Sequence, residues 1–326
     1  MGSFTWPLLF LQIQSNIMII HEGYENLDLE NPVVTMGIFD GVHRGHRALL
    51  DSLVSRAGGA GGESVVITFF PHPRLVLDQN RIGFSLLSTM DEKKVLLEKA
   101  NVDHLIIIEF NNRFSNIKAC DFLKDILAEK IGTKHLILGY NHHFGNRGEG
   151  DFNTIKQCAE SLDFTVEQVQ GFHTEEGAIS SSSIREALLK GKLDEANNKL
   201  GYPYPVTGTV VKGRQIGHSI GFPTANIEPD YQYKLIPANG VYAVEVYIET
   251  VKYRGMLNIG SNPTVNNDLS LRSIEVNILN FENDIYGKTI SVKFIKRLRD
   301  EIKFETREQL VNQMNLDRLS TLQLLP

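Results

Sequence analysis

Between residues 33 and 170 the chain repeats a pattern that few folds accommodate. Five short runs are continuously apolar and rich in β-branched residues: Val33–Ile38, Ser64–Phe70, His104–Phe110, His135–Tyr140 and Phe164–Gln170. A run without polar alternation reads as a strand buried on both faces. The intervening stretches carry helical signals. Thr89 and Glu92 make a capping box ahead of a helix that runs to about Ala100. Ile117–Lys130 has helical periodicity and meets Gly132, a helix stop. Repeated strand–helix units predict a doubly wound parallel sheet with right-handed crossovers.

The pattern changes near residue 200. Tyr202-Pro-Tyr-Pro205 reads as a linker. Beyond it, Val206–Val211, Val241–Ile248, Tyr253–Ile259, Ser273–Leu279 and Thr289–Leu298 alternate polar and apolar residues, with Gly, Pro and Asn between them. That predicts a small antiparallel β-barrel or sandwich, closed by a helix over Thr306–Asp317. The expected division is therefore an extension at 1–17, a first domain at 18–195 and a second at 200–326. Two domains also suit a chain of 326 residues, at roughly 150 residues per domain.

Composition narrows the function. With 42% hydrophobic residues the chain has material for packed cores, and no run of about 18 apolar residues suits a membrane span. The net charge is −6, split as −7 over residues 1–200 and +1 over 201–326, so neither half is a basic nucleic-acid surface. Two cysteines, Cys120 and Cys158, do not make a disulfide framework, and their scarcity fits a reducing cytoplasm. Residues 1–17 hold one apolar patch at Trp6–Leu11 but no Lys or Arg, unlike a signal peptide. They read as a dispensable extension, with Met18 a candidate start.

The first chemical constellation follows the first apolar strand. Gly37-Ile-Phe39-Asp40-Gly-Val-His43-Arg-Gly45-His46 places two imidazoles at a strand-to-helix turn, where helix N–H groups and the helix dipole favour phosphate. Gly45 lets a phosphate approach, and the two histidines can donate to one phosphoryl group as charge builds on it. The alternatives are surface loop histidines or a metal pair, for which only Asp40 is an obvious further ligand.

This run resembles the signature of HxGH nucleotidyltransferases, a Rossmann-like class. It is very similar to the first module of bacterial bifunctional riboflavin kinase/FMN adenylyltransferases. The family's second motif, Ile-Ser-Ser-Thr-x-x-Arg, stands here as Ile179-Ser180-Ser181-Ser182-Ser-Ile-Arg185, with Ser182 keeping the hydroxyl. The serines suit a helix cap, and the Arg185 fork suits phosphate oxygens. The resemblance implies flavin contacts at Pro71-His72-Pro73-Arg74 and in the loop Gly139-Tyr-Asn141-His142-His143-Phe-Gly145, where His142 replaces the more usual Phe.

The second constellation has glycines four residues apart, at Gly213, Gly217 and Gly221, leading to Phe222-Pro-Thr224-Ala-Asn226. It is neither a Walker A loop nor GxGxxG. Spacing alone leaves open a Gly-rich hairpin or a flap whose backbone wraps phosphates. Thr224 and Asn226 share one face of an extended segment, and their hard oxygens suit Mg²⁺. The segment resembles the riboflavin kinase signature, and the resemblance continues to Arg297-Leu-Arg-Asp-Glu-Ile-Lys-Phe304. It implies Glu275 as the base for the riboflavin 5′-hydroxyl, with Asn277 where the family usually has His, and Arg297 beside the flavin.

Together the resemblance covers about residues 18–317. It implies a bifunctional, cytoplasmic transferase that makes FMN and then FAD from riboflavin and two ATP, using Mg²⁺. Catalysis would rest on His43, His46, Arg185 and Glu275. No nucleic-acid or membrane partner is expected. The alternatives are a nucleotidyltransferase acting on another phosphate substrate, a kinase with a silent first module, and a non-enzymatic flavin-binding protein.

Overall fold

The structure is a computed structural model, describing residues 17–78, 83–140, 144–170, 173–174, 177–213, 221–261 and 272–325. It contains two compact units interleaved along the chain. One is drawn from Met1–Ile38, Leu49–Gln79 and Lys94–Gln170, the other from Phe39–Ala48, Asn80–Lys93 and Gly171–Pro326.

In the first half the chain runs β1 (Ile19–Glu22), β2 (Val33–Met36), α1 (Arg44–Ala60), β3 (Ser64–Phe70), α2 (Pro73–Leu77), α3 (Met90–Glu98) and β4 (His104–Glu109). It continues through α4, which starts at Ala119–Asp121 and proceeds over Phe122–Ala128 as a wider helix, then β5 (His135–Gly139), α5 (Phe152–Ala159) and β6 (Thr165–Val169). The six strands make one all-parallel sheet, ordered β1-β4-β3-β2-β5-β6. The order reverses at β2, the switch point where open α/β sheets place their ligands. Val34, Val65, Ile67, Ile106 and Leu136 are fully buried, as continuous apolar strands should be.

Two expectations need correction here. β6 is an edge strand and half exposed rather than buried on both faces, and β1, at the other edge, has largely exposed side chains. Cys120 and Cys158, not expected to pair, form a disulfide joining α4 to α5, with Cα atoms 5.5 Å apart.

The chain then makes a short hairpin, β7 (His173–Thr174) and β8 (Gly177–Ala178), followed by α6 (Ser181–Leu189) and α7 (Leu193–Leu200). Next come β9 (Tyr204–Val211), β10 (Ala225–Pro229), β11 (Gly240–Ile248), β12 (Val251–Ser261), β13 (Arg272–Ile278), β14 (Thr289–Arg299) and α8 (Arg307–Leu324). β9 to β14 close into an antiparallel barrel, ordered β10-β13-β12-β11-β14-β9. The expected linker is in part a strand: Tyr204 opens β9 fully buried, and Pro205 pairs with Lys293 of β14. β10 reaches along β9 only to Gly208, so at Pro205 a ladder on that side asks for no N–H. The final helix runs seven residues past its expected end at Asp317.

Among the described residues no helix is long and apolar enough to cross a membrane. The barrel core continues into α6, α7 and Leu87. Leu86 exchanges backbone hydrogen bonds with Tyr233 and Leu235. Beside them Lys234, fully buried, donates to the Leu87 carbonyl at 2.7 Å and to Glu92 Oε2 at 2.6 Å, 4.4 Å above the Tyr204 ring. Burial pushes the Lys234 ammonium down, and Glu92 opposes that shift. Breaking such a pair strands a buried charge, at about 3–5 kcal/mol. Lys234→Met should lower the urea midpoint accordingly, and adding Glu92→Gln should recover much of the loss.

Candidate functional site

The turn after β2 holds its shape by placing Phe39 (φ +49°), Gly41 (φ +79°) and Val42 (φ +33°) in the left-handed region. Two of these are not glycine, so the strain is offset elsewhere, here by burial of the Phe39 and Val42 side chains. Gly41 has no substitute: a Cβ there would lie 2.9 Å from Leu87 Cδ1. Gly37, one residue past β2, donates its N–H to the Ile67 carbonyl.

Asp40 sits at the centre of this turn. Its buried carboxylate accepts the N–H groups of Leu87 at 2.9 Å and Ser88 at 3.1 Å, and Arg185 Nη2 at 2.6 Å. Ser181 Oγ donates to the Asp40 carbonyl, Gly41 N–H donates to Ser88 Oγ, and Tyr202 hydroxyl donates to the Gly41 carbonyl. Ser180 caps α6 in a reciprocal pair with Ser183, which sets Arg185 one turn on, while Ser182 is exposed in the first turn. The second motif thus divides its labour: one serine caps, one ties the turn and one faces solvent.

The imidazoles of His43 and His46 stack with ring centroids 3.6 Å apart. His43 Nδ1 accepts the His46 N–H at 3.2 Å, so its neutral ring carries the proton on Nε2. A Cβ on Gly45 would press to 3.2 Å from that ring. Burial pushes His43 down to about 4 against the opposing field of Asp40, and pushes His46 well down, helped by His43 and by Lys93. Both rings are therefore neutral donors at pH 7. His46 Nδ1 and Arg185 Nε are buried with no protein partner among the described residues. Lys93 and Ser88 were not anticipated here. A lysine in the first turn of a helix reads as solvated, and only the tertiary fold brings it to this cluster.

The barrel supplies a second cluster. Glu275 on β13 has Asn226 of β10 and Asn258 of β12 as its cross-strand neighbours. Its flanking residues Ile274 and Val276 enter the barrel core, as alternation predicts. Glu275 lines a cavity of about 290 Å³ with Thr224, Asn258, Asn277 and Arg299, the rest largely apolar and including Leu310 and Met314 of α8. A second cavity, about 340 Å³, lies between the β10 and β13 strands and the 281–286 turn, and Thr224 lines it too. Asn277 Nδ2 donates at 2.6 Å to the Pro223 carbonyl, fastening the residue before Thr224 to the strand of Glu275. Asn226 lies over Gly213, where a Cβ would fall 1.9 Å from Nδ2. Gly221 has φ +82°.

Other expected positions have partners of their own. Arg297 is engaged with the Asn239 carbonyl and Asp300. Arg299, held bidentately by Asp317 of α8, is the arginine on the Glu275 cavity. His72 caps α2 by accepting the Arg74 N–H, between Pro71 and Pro73 in the other compact unit. Asn141, His142, His143 and Gly217 lie outside the described residues.

A stacked neutral histidine pair beside a helix-borne arginine, on a chain that also closes a barrel around a carboxylate and a shared threonine, defines a transferase of phosphorus groups with two centres. A family model described as FAD synthetase matches residues 25–183, and one described as riboflavin kinase matches 200–325. The bifunctional riboflavin kinase/FMN adenylyltransferase of Listeria monocytogenes is 38% identical over 89% of this chain and 91% of its own length, and that of Escherichia coli is 34% identical over 89% and 92%. A crystal structure of a Streptococcus pneumoniae protein described as a macrolide-efflux protein superposes with a TM-score of 0.84, at 32% identity, over 94% of this chain and 98% of that one. The chain belongs to the family of bifunctional riboflavin kinase/FMN adenylyltransferases.

The depressed histidine has a consequence for stability. Between about pH 4 and 6.5 the unfolded chain binds a proton at His43 that the folded chain refuses, so stability is full above 6.5 and falls as pH drops towards 4. Urea midpoints taken from pH 7 to pH 5 should decline in the native chain, and less steeply in His43→Gln.

Proposed function

We propose that this chain converts riboflavin to FMN in its barrel and FMN to FAD at the histidine turn, spending one ATP at each step. The proposed division assigns residues 18–195 to adenylylation and 200–326 to the kinase.

In the kinase step Glu275 accepts the proton of the riboflavin 5′-hydroxyl as that oxygen attacks the γ-phosphorus and ADP leaves. The apolar cavity beside Glu275 takes the flavin ring, and the 340 Å³ cavity takes the nucleotide. Thr224, common to both, stands where the phosphoryl group crosses. Thr224 and Asn226 are hard oxygen donors of the kind Mg²⁺ prefers, and the bare Gly213 leaves the amide its space. Bound there, Mg²⁺ would offset charge on the phosphates. Asn277, where the family usually has His, holds Thr224 in register through the Pro223 carbonyl. Arg299, rather than Arg297, is the arginine placed beside the flavin.

In the adenylylation step an FMN phosphate oxygen attacks the α-phosphorus of the second ATP, and pyrophosphate leaves. FMN is already an anionic nucleophile at pH 7, so the protein's work is positioning and charge stabilisation. His43 donates from Nε2, and His46 Nδ1 and Arg185 Nε, without partners among the described residues, are left for the substrate phosphates. Those unpartnered buried nitrogens carry this half of the reading. Flavin contacts at Pro71, His72, Pro73, Arg74 and Asn141 are proposed from the family resemblance. The setting is cytoplasmic, where ATP is made and spent.

A time course with riboflavin, ATP and Mg²⁺, with flavins separated by chromatography, should show FMN first and FAD after it. Failure to form FAD even from supplied FMN would remove the second assignment. Glu275→Ala should slow riboflavin phosphorylation by about 10²–10⁴-fold and leave the adenylylation of supplied FMN intact. Arg185→Ala should do the reverse. Loss of both activities in either folded variant would overturn the division of labour.

A further inference from the structure

Lys93 is a lysine where lysines are rarely found. It lies in the first turn of α3 and is only 6% exposed. Its field reaches His46 and Asp40. The helix start that carries it is pinned on both sides: Thr89 and Glu92 close the capping box, Glu92 is held by Lys234, and Ser88 is bound to Asp40. The charged groups named in this cluster are the carboxylates Asp40 and Glu92 and the cations Arg185, Lys234 and Lys93. The two histidines add no charge, being neutral. Two buried nitrogens, His46 Nδ1 and Arg185 Nε, have no partner among the described residues, and with the cations Arg185 and Lys93 in the same cluster they suit a polyanion.

We propose that Lys93 is a further phosphate-binding residue of the adenylylation centre, contacting the triphosphate of ATP and the pyrophosphate that leaves. The inference rests on the adenylyl-transfer reading above and adds a residue to it. It also sets a pH limit. Burial pushes the Lys93 ammonium down to about 8, opposed by Asp40. Of the titratable groups in the cluster, His43 and His46 are already neutral at that pH, and burial pushes the Tyr202 hydroxyl above its ordinary range. Lys93 is then the group whose loss of a proton weakens polyanion binding as pH rises through about 8.

The test uses the full-length chain and the variants Lys93→Met and Lys93→Arg. In FMN adenylylation, Lys93→Met should raise KM for ATP by about tenfold or more, the scale of one charge-assisted hydrogen bond. KM for FMN should stay near the native value, as should riboflavin kinase activity. Lys93→Arg should recover most of the ATP affinity and remove the weakening above pH 8. Calorimetric titration with inorganic pyrophosphate should show the same order of affinities: native, then Arg, then Met. Unchanged ATP and pyrophosphate affinity in Lys93→Met would overturn the proposal, and so would equal weakening towards ATP and FMN, the mark of a structural role. If the native chain made no FAD, the adenylylation reading would fall, while the pyrophosphate titration would still decide whether Lys93 binds polyanions.

Discussion

The histidine turn hangs on one buried carboxylate. Asp40 is taken out of water, a cost that only several well-placed donors offset, and it finds three of them in two distant parts of the sequence. Two are backbone N–H groups of residues 87 and 88, and one is the Arg185 guanidinium. Because the carboxylate must be satisfied, the turn after β2, the stretch before α3 and the start of α6 are obliged to meet. The left-handed backbone at Phe39 and Val42 is tolerable within that meeting and would not be outside it. Asp40 also explains why Arg185 is aimed rather than free: one of its nitrogens is spent on the carboxylate, so the buried Nε is held at a fixed place beside the histidines.

The barrel solves a different problem, that of bringing two substrates to one point. Its two cavities are separate, and a single residue, Thr224, borders each. The register of β10 against β13 puts Asn226 opposite Glu275, and the amide of Asn277 fixes the carbonyl just before Thr224. The groups proposed to handle hydroxyl, phosphate and cation thus come from two adjacent strands and the residue just before one of them, and the ladder sets the strands' spacing. A barrel wall is stiffer than a loop, which suits a reaction that depends on alignment.

Most of the fold was legible because strands buried on both faces and strands buried on one face leave different signatures. Where the pattern was weak, the elements went unseen. β1 exposes most of its side chains, β10 is short, and the prolines around Tyr204 resemble a linker although Tyr204 is among the most buried residues. The motif residues His43, His46 and Arg185 were singled out by their local spacing, and Glu275 by the family resemblance. Lys93, Ser88 and Arg299 were not, because each becomes relevant only through contacts across the sequence. The arginines show how fine the limit is. In a regular strand Arg297 and Arg299 would share a face, but β14 shifts register there: Arg297 pairs with Tyr242 and Arg299 with the adjacent Val241. The bulge separates their fates, and nothing in the local sequence announces it.

The interleaving of the two compact units bears on the birth of the protein. A nascent chain presents residues 39–48 and 80–93 early, yet the unit they belong to is completed by Gly171–Pro326. Until that stretch has emerged, Asp40 lacks its arginine and Glu92 lacks its lysine, so the histidine turn waits, unfinished, for more than a hundred residues of translation. The parallel sheet draws its strands from residues 19–169 and needs nothing later. In order of synthesis the strands of the parallel sheet therefore come first, and the partners of the histidine turn and the barrel strands come after them.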